Sequence, residues 1–351
     1  MLAAYFHLLF ALGLGCCLAL QQPESSVYRN RTLYAVALWL LAALLIGLLP
    51  VPWEELESDR TVYAAGFVWL SALHELPNID NDPLFACYVW LCSRLMSCEL
   101  WFVLTALIYV GNHLFFSFKL GKQHGLILFL MFCYGFQFYA YGTNTLRAGL
   151  AASVLLAAFA KRDNILPFLG LILVSINIHF SMALPALAMV ATRYYNRPRV
   201  YLAVWLAALV LSAGFGHYFE NLLSPLIPDD RSSYLMTAAG DTHYKVGFRL
   251  DFLLYSMAPI VMGWYCIARK GFTDPTYYSL FNTYLLSNSF WILVIRANFS
   301  DRFAYLSWFL YPAILVYPLF TSDCFRRRRS VLSLVVFLYL SFTYFRFVVS
   351  G

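Results

Sequence analysis

Apolar runs of membrane-crossing length recur from one end of the chain to the other, and they fix its solvent before any motif is considered. A transmembrane helix needs roughly 20 mainly apolar residues, fewer where other protein covers it. On that rule segments fall at 1–20, 33–50, 100–118, 125–141, 146–160, 165–177, 179–192, 200–216, 250–268, 277–295, 303–320 and 331–349. With 62% hydrophobic and 12% charged residues and a mean hydropathy of +0.68, a soluble globule is excluded, since its usage is nearer half apolar and a quarter charged. The expected fold is an all-α polytopic membrane protein of about twelve segments, one membrane-embedded domain over 1–351. The eight cysteines lie scattered, mostly in apolar runs and without a CxxC pair, and read as small core hydrophobes.

The loops set orientation. Alternate loops, beginning with 21–32, carry 15 of the 24 Lys and Arg but only four of the 18 acids, so by the positive-inside rule they are cytoplasmic and both termini face outward. The first segment lacks a basic n-region and a small-residue cleavage site and is expected to be retained. The net charge of +6 is then a matter of topology, and no nucleic-acid partner is expected. Arg326 to Arg329 reads as a stop signal at the inner headgroups.

Two loops on the outer face are long, 51–99 and 217–249, and loops of such length are commonly functional. The first is acidic. From Asp82-Pro83 onward it reads as a helix lying on or dipping into the outer surface.

In this topology Arg147 stands at the outer end of a descending helix, with Asn144 or Thr145 as the expected cap. A second descending helix opens with the same grammar: Ser300 as the expected cap, Asp301 in the first turn, Arg302 just after, and Arg296 one turn earlier. Unpaired backbone N–H groups, the positive end of a helix dipole and a bidentate guanidinium together make an anion site, with phosphate the usual guest. Two arginines at outer helix ends run against the positive-inside bias, which favours function over simple snorkelling. The third element is Ile176-Asn-Ile-His179-Phe-Ser181. Only 30 residues separate Asp163 from Arg193. At 1.5 Å rise neither leg spans the ~30 Å core, so the turn is recessed with His179 near its apex. By itself His179 is as well read as a buried, hydrogen-bonded histidine as a site residue.

The order of these motifs resembles the EpsG-type, Wzy-like exopolysaccharide polymerases, integral-membrane proteins related to the GT-C glycosyltransferases. The resemblance covers roughly 58–320. Asp59-Arg-Thr-Val-Tyr63 is similar to the family's early D-x-x-x-Y motif, and Asp82-Pro-Leu-Phe to the amphipathic stretch after it. Asn144-Thr-Leu-Arg147-Ala-Gly-Leu-Ala151 looks like the N-x-x-R core, His179-Phe-Ser181 like the His-x-Ser block, and Arg302-Phe-Ala-Tyr305 like the late R-x-x-Y.

The resemblance implies a GT-C-like fold and transfer of a growing glycan from polyprenyl (undecaprenyl) diphosphate to another lipid-linked repeat unit, on the extracytoplasmic side of the bacterial cytoplasmic membrane. Arg147 and Arg302, assisted by Arg296, would hold the diphosphate. His179, ahead of Asp59, would be the base, with Asn144, Tyr63, Ser181, Tyr305 and Asp301 supporting. No metal or other cofactor is expected. The expected partners are the lipid-linked oligosaccharide and membrane lipid, and a chain-length regulator is a candidate. Rival readings are a glycan ligase, a transporter or flippase of lipid-linked glycan, and a membrane O-acyltransferase.

Overall fold

The structure, a computed structural model, describes residues 2–20, 29–55, 58–73, 82–215, 218–223, 247–297, 299–321 and 325–346. Every regular element among them is helical. The chain divides into two compact units, Met1–Phe180 with Leu319–Gly351, and Ser181–Pro318.

The first unit contains α1 (Leu2–Leu20), α2 (Arg31–Gly47), α3 (Asp59–Ala72), α4 (Pro83–Leu95), α5 (Cys98–Gly121), α6 (Gly125–Cys133), α7 (Phe136–Thr143), α8 (Leu146–Ala160) and α9 (Ile165–Ile178). The second contains α10 (Ala183–Tyr194), α11 (Pro198–Phe215), α12 (Tyr218–Leu223), α13 (Leu250–Lys270), α14 (Pro275–Leu293) and α15 (Ser300–Trp308), and α16 (Tyr311–Thr321) begins in it. A last helix, α17 (Arg328–Tyr344), packs beside α1.

Each apolar segment of the sequence becomes a helix or a broken pair of helices. Four stretches are long and apolar enough to cross a membrane: Cys98–Cys133, Pro198–Phe215, Leu250–Lys270 and Ser300–Thr321. The chain is therefore a multi-pass membrane protein, and its further apolar helices, Arg31–Gly47 and Leu146–Ala160 among them, are shorter. Some segments are short: α9, with 14 residues, extends about 21 Å at 1.5 Å per residue. Others are broken: 125–141 divides at Gly135, and Ser300–Thr321 breaks after Trp308.

In the first unit α5 is the mast, packed against α2, α6 and α8. The buried face of α2 runs Ala35, Leu38, Ala42, Ala43 and Ile46, a 3.6-residue period of mostly small side chains of the kind that lets membrane helices approach closely. At its end a Cβ on Gly47 would stand 2.7 Å from the Val103 Cα, so only glycine fits the crossing.

The first long loop, 51–99, contains α4, which the Asp82-Pro83 start foretold, and also α3. On α3 the buried residues are Arg60, Thr61, Ala64, Phe67 and Leu70, and on α4 they are Phe85, Val89 and Cys92. Phe67 stacks on Trp101 of α5 at 5.3 Å. Both helices also turn large apolar side chains outward, among them Trp69, Leu91 and Leu95, the pattern of helices lying in an interface. The second long loop, 217–249, lies outside the described residues over 224–246.

Arg60 ties α3 to α2. Its Nη2 donates to the Gly47 carbonyl at 2.8 Å and its Nη1 to Ile46 at 3.4 Å, while the guanidinium lies 3.9 Å from the Phe102 ring centroid. It thus caps the Gly47 carbonyl at the end of α2, while the Ile46 carbonyl also accepts from the Leu48 and Leu49 N–H groups. Arg60→Ala is expected to lower the melting temperature in detergent, because a buried acceptor left unpaired, here the Gly47 carbonyl, costs about 1–3 kcal/mol. Arg60→Lys should recover part of the loss, and a variant melting like wild type would refute this role.

In the second unit α14 is buried on nearly all sides, by α10, α11, α13 and α15. It is held by polar contacts inside the helix cluster. Trp205 donates to the Asn288 Oδ1 at 2.8 Å, the Asn288 Nδ2 donates to Ser307 at 2.9 Å, and Thr192 meets Ser279 and Thr283 at 3.1 and 3.0 Å. With no water to satisfy them, such groups bond across helices.

Candidate functional site

The site in the first unit is assembled around Asp82, a residue the sequence marked only as a helix start. Asp82 occupies the N-cap position of α4, directly before Pro83, yet its side chain makes no cap hydrogen bond and its backbone is left-handed, at φ 51° and ψ 55°. An N-cap residue ordinarily has extended dihedrals, and a residue before proline is pushed the same way. Left-handed backbone in a non-glycine residue costs of order 1–3 kcal/mol and persists where the surroundings enforce it.

What enforces it is the carboxylate, which points away from its own helix. Its Oδ2 accepts from the Arg147 Nη1 at 3.0 Å and meets the His179 Nδ1 at 2.8 Å, and its Oδ1 accepts the Phe180 backbone N–H at 3.0 Å. An ionised carboxylate only accepts, so Nδ1 carries a proton. Burial by itself would raise the Asp82 pKa. The His179 hydrogen bond and charge, the Phe180 amide and the Arg147 charge together outweigh it and hold the carboxyl below its ordinary value.

The elements that supply these partners follow from local sequence. Arg147 lies in the first turn of α8, which Gly149 allows to press against α7: a Cβ there would collide with the Tyr141 carbonyl oxygen. His179 is the extended C-cap of α9, and the following residues Phe180–Met182 form a single 3-10 turn before α10. His179 is 2% exposed, whereas the Arg147 side chain is 35% exposed. One partner is therefore sealed and the other opens outward.

Tyr63 on α3 joins them, its Oη accepting the Arg147 backbone N–H at 3.5 Å. Burial raises its phenol above the ordinary value, against the pull of the Arg147 charge, so it stays neutral. Asp59 stands one turn earlier on the same helix. The carboxylate brought to Arg147 and His179 is that of Asp82.

Of the two expected caps of α8, Thr145 is the N-cap residue, though without a side-chain cap bond, and Asn144 accepts from the Thr143 hydroxyl at 2.9 Å. At α15 the cap is Phe299, again left-handed at φ 51°, an outlier for so bulky a residue. Ser300 sits inside the helix, accepting from the Trp291 Nε1 and donating to the Ile295 carbonyl, both at 2.9 Å.

Within the second unit Arg302 stacks over Phe299 at 4.9 Å, the Tyr305 hydroxyl donates to Asp301 at 3.1 Å, and the Arg296 Nη1 donates to the Ser212 carbonyl at 2.9 Å. Ser181 keeps a buried hydroxyl with no hydrogen-bond partner. Among the described residues no three His, Cys, Asp or Glu side chains gather closely enough to hold a metal ion. Sequence reasoning missed Asp82, the Phe180 amide and Arg60. Only the Asp-Pro pair hinted at the first, and nothing in one sequence separates it from the other acids of its loop.

Fold and site together define a polytopic helical membrane protein with a buried carboxylate–imidazole pair joined to a guanidinium at a helix start. A family model for the EpsG family matches residues 33–351, and the chain belongs to that family, which is associated with glycosyltransferase-like polysaccharide polymerases. Comparison with curated proteins finds no match, and comparison with solved structures finds none.

Proposed function

We propose that this protein is a polysaccharide polymerase of the bacterial cytoplasmic membrane, with its site and both termini on the extracytoplasmic side. It transfers a growing glycan from polyprenyl (undecaprenyl) diphosphate to a sugar hydroxyl of another lipid-linked repeat unit, in exopolysaccharide, capsule or O-antigen biosynthesis. The observation that carries this reading is the Asp82 cluster, in which one carboxylate orients a buried imidazole and a half-exposed guanidinium at once.

In the transfer the bond from the donor sugar's anomeric carbon to the diphosphate oxygen breaks, and its electron pair leaves with the diphosphate. The acceptor hydroxyl oxygen forms the new bond, and its proton passes to the His179 Nε2. Asp82 holds the opposite nitrogen and favours the imidazolium that results, as the buried acid of a hydrolytic triad does. Base catalysis of this kind contributes about 10²–10⁴-fold.

Charge grows on the leaving diphosphate, and a preorganised donor aimed at such charge contributes about 10²–10³-fold. In the proposal Arg147 is that donor, with Arg302 and Arg296 adding to it and Tyr63, Asn144, Ser181, Asp301 and Tyr305 in support. The scheme needs no metal. Asp59 is the lesser candidate for the base, since Asp82 already orients His179.

The test is incubation of the purified protein in nanodiscs with its lipid-diphosphate-linked repeat unit, following product length on a gel. A ladder is expected. Movement of the unit without elongation would favour a flippase, transfer only to a different acceptor a ligase, and acyl transfer without lengthening an acyltransferase. Arg302→Lys is expected to shorten the ladder nearly as far as Arg302→Ala, because lysine keeps the charge but loses the planar fork. Full-length product from Arg302→Lys would reduce Arg302 to a point charge.

A further inference from the structure

A serine inside a helix commonly folds its hydroxyl back on its own backbone. Ser153 and Ser289 do so here, donating to the Leu150 and Leu285 carbonyls, both at 2.7 Å. Ser175 does otherwise. It is fully buried on α9, and its Oγ leaves that helix to donate to the Ala151 carbonyl of α8 at 2.7 Å. No step above uses it.

Its place gives the bond a consequence. Ser175 lies one turn before His179, and its own carbonyl accepts the His179 backbone N–H at 3.0 Å. Ala151 lies one turn after Arg147. The strut therefore joins α8 and α9 one turn away from the two residues that meet on the Asp82 Oδ2, Arg147 at 3.0 Å and His179 at 2.8 Å. Carboxylate, guanidinium, α8, strut, α9 and imidazole form a closed ring.

The rest of the contact leaves the register open. Helix α8 carries small buried side chains, Ala148, Ala151 and Ala152 among them, and packs along α9. Small apolar surfaces let helices approach closely, but they have no direction, and a slide along the axis changes them little. A directed hydrogen bond selects one position. Because Asn112 of α5 donates to the Ser153 Oγ at 3.0 Å, α8 is tied to the mast, and α9 is the element that the strut places.

We infer that Ser175 is a positioning residue of the site: its hydroxyl sets the register of α9 on α8 and so brings the His179 imidazole to the carboxylate that Arg147 also holds. This rests on the polymerase reading for its effect on turnover, while the geometry stands apart from that reading.

The experiment compares Ser175→Ala with Ser289→Ala in nanodiscs, the second removing a buried hydroxyl that joins no two helices. Ser175→Ala is expected to lower the kcat of glycan elongation by about tenfold to a hundredfold, the loss that slight misplacement of a reacting group brings. KM for the lipid-linked unit should stay unchanged, and Ser289→Ala should keep the wild-type kcat. Ser175→Cys, close in shape but a weaker donor, should fall between, and it decides the matter if Ser175→Ala accumulates poorly. Wild-type kcat in the Ser175 variants, a loss confined to KM, or an equal loss in Ser289→Ala overturns the inference.

A second readout needs no turnover. In protein carrying isotope-labelled histidine, the Nδ1–H resonance of His179, assigned by its absence from His179→Gln, should move in Ser175→Ala and stay in Ser289→Ala. An unmoved resonance overturns the inference even where a ladder forms. If the wild-type protein makes no ladder, the polymerase reading falls, and a moved resonance still upholds Ser175.

Discussion

Asp82→Asn is expected to cut glycan elongation by about a hundredfold or more, the range set by loss of an oriented base, while the protein accumulates in the membrane at its normal level. Asparagine keeps the shape and can still accept from the Phe180 amide, but the Arg147 Nη1 and His179 Nδ1, now 3.0 and 2.8 Å from a carboxylate, would face a neutral group. The ring then loses the charge that favours its protonated form. Wild-type ladder kinetics in this variant would remove Asp82 from the reaction.

A second readout follows from the depressed pKa of Asp82. A group whose folded pKa lies below its unfolded value adds stability above the unfolded pKa, about 3.9 for aspartate, and that stability fades as pH falls through the folded value. The melting temperature of the wild-type protein should therefore drop on the acid side of that range more steeply than that of Asp82→Asn. Parallel curves for the two proteins would mean that the carboxylate gains nothing from its partners.

Arg147→Lys is expected to be almost as damaging as Arg147→Ala, with each lowering turnover by about 10²–10³-fold. One Nη1–H of the guanidinium is committed to Asp82, and the side chain is 35% exposed. Guanidinium carries five N–H donors in a rigid fork, so it can hold Asp82 and still present donors to a second anion, whereas an ammonium is a single compact charge. Because the leaving diphosphate gains charge in the transition state, the loss should fall on kcat more than on KM. A loss confined to KM would make Arg147 a ground-state anchor. Arg147→Ala also leaves Asp82 and His179 paired, so its effect should differ from that of Asp82→Asn in leaving base catalysis intact.

The helical membrane class could be read from hydropathy because apolar runs are a local property. Helix starts at Arg147 and Arg302, and the turn at His179, were equally visible, since each is written in fewer than ten consecutive residues. What sequence could not reach is pairing at a distance. Asp82 lies 65 residues from Arg147 and 97 from His179, and no spacing rule joins them. Its left-handed backbone was hidden too, because Asp-Pro reads as an ordinary helix start with an extended cap. Arg60 was missed for the same reason, since its guanidinium reaches the Ile46 and Gly47 carbonyls of another helix, 14 and 13 residues away. The breaks at Gly135 and after Trp308 were hidden as well, inside runs that hydropathy reads as continuous.

The carboxylate that ties three chain segments together also says something about biogenesis. A ribosome delivers the N-terminal portion first, so Asp82 leaves the translocation machinery well before Arg147 and His179 exist. During that interval the acid has none of the partners that later bury it, and Pro83 discourages the left-handed bend it finally adopts. The pocket therefore closes as a late event, after the helix ending at Ile178 has been inserted. A nascent chain stalled short of that point would expose an unanswered acid at the membrane surface, a mark by which quality control could tell unfinished copies from finished ones.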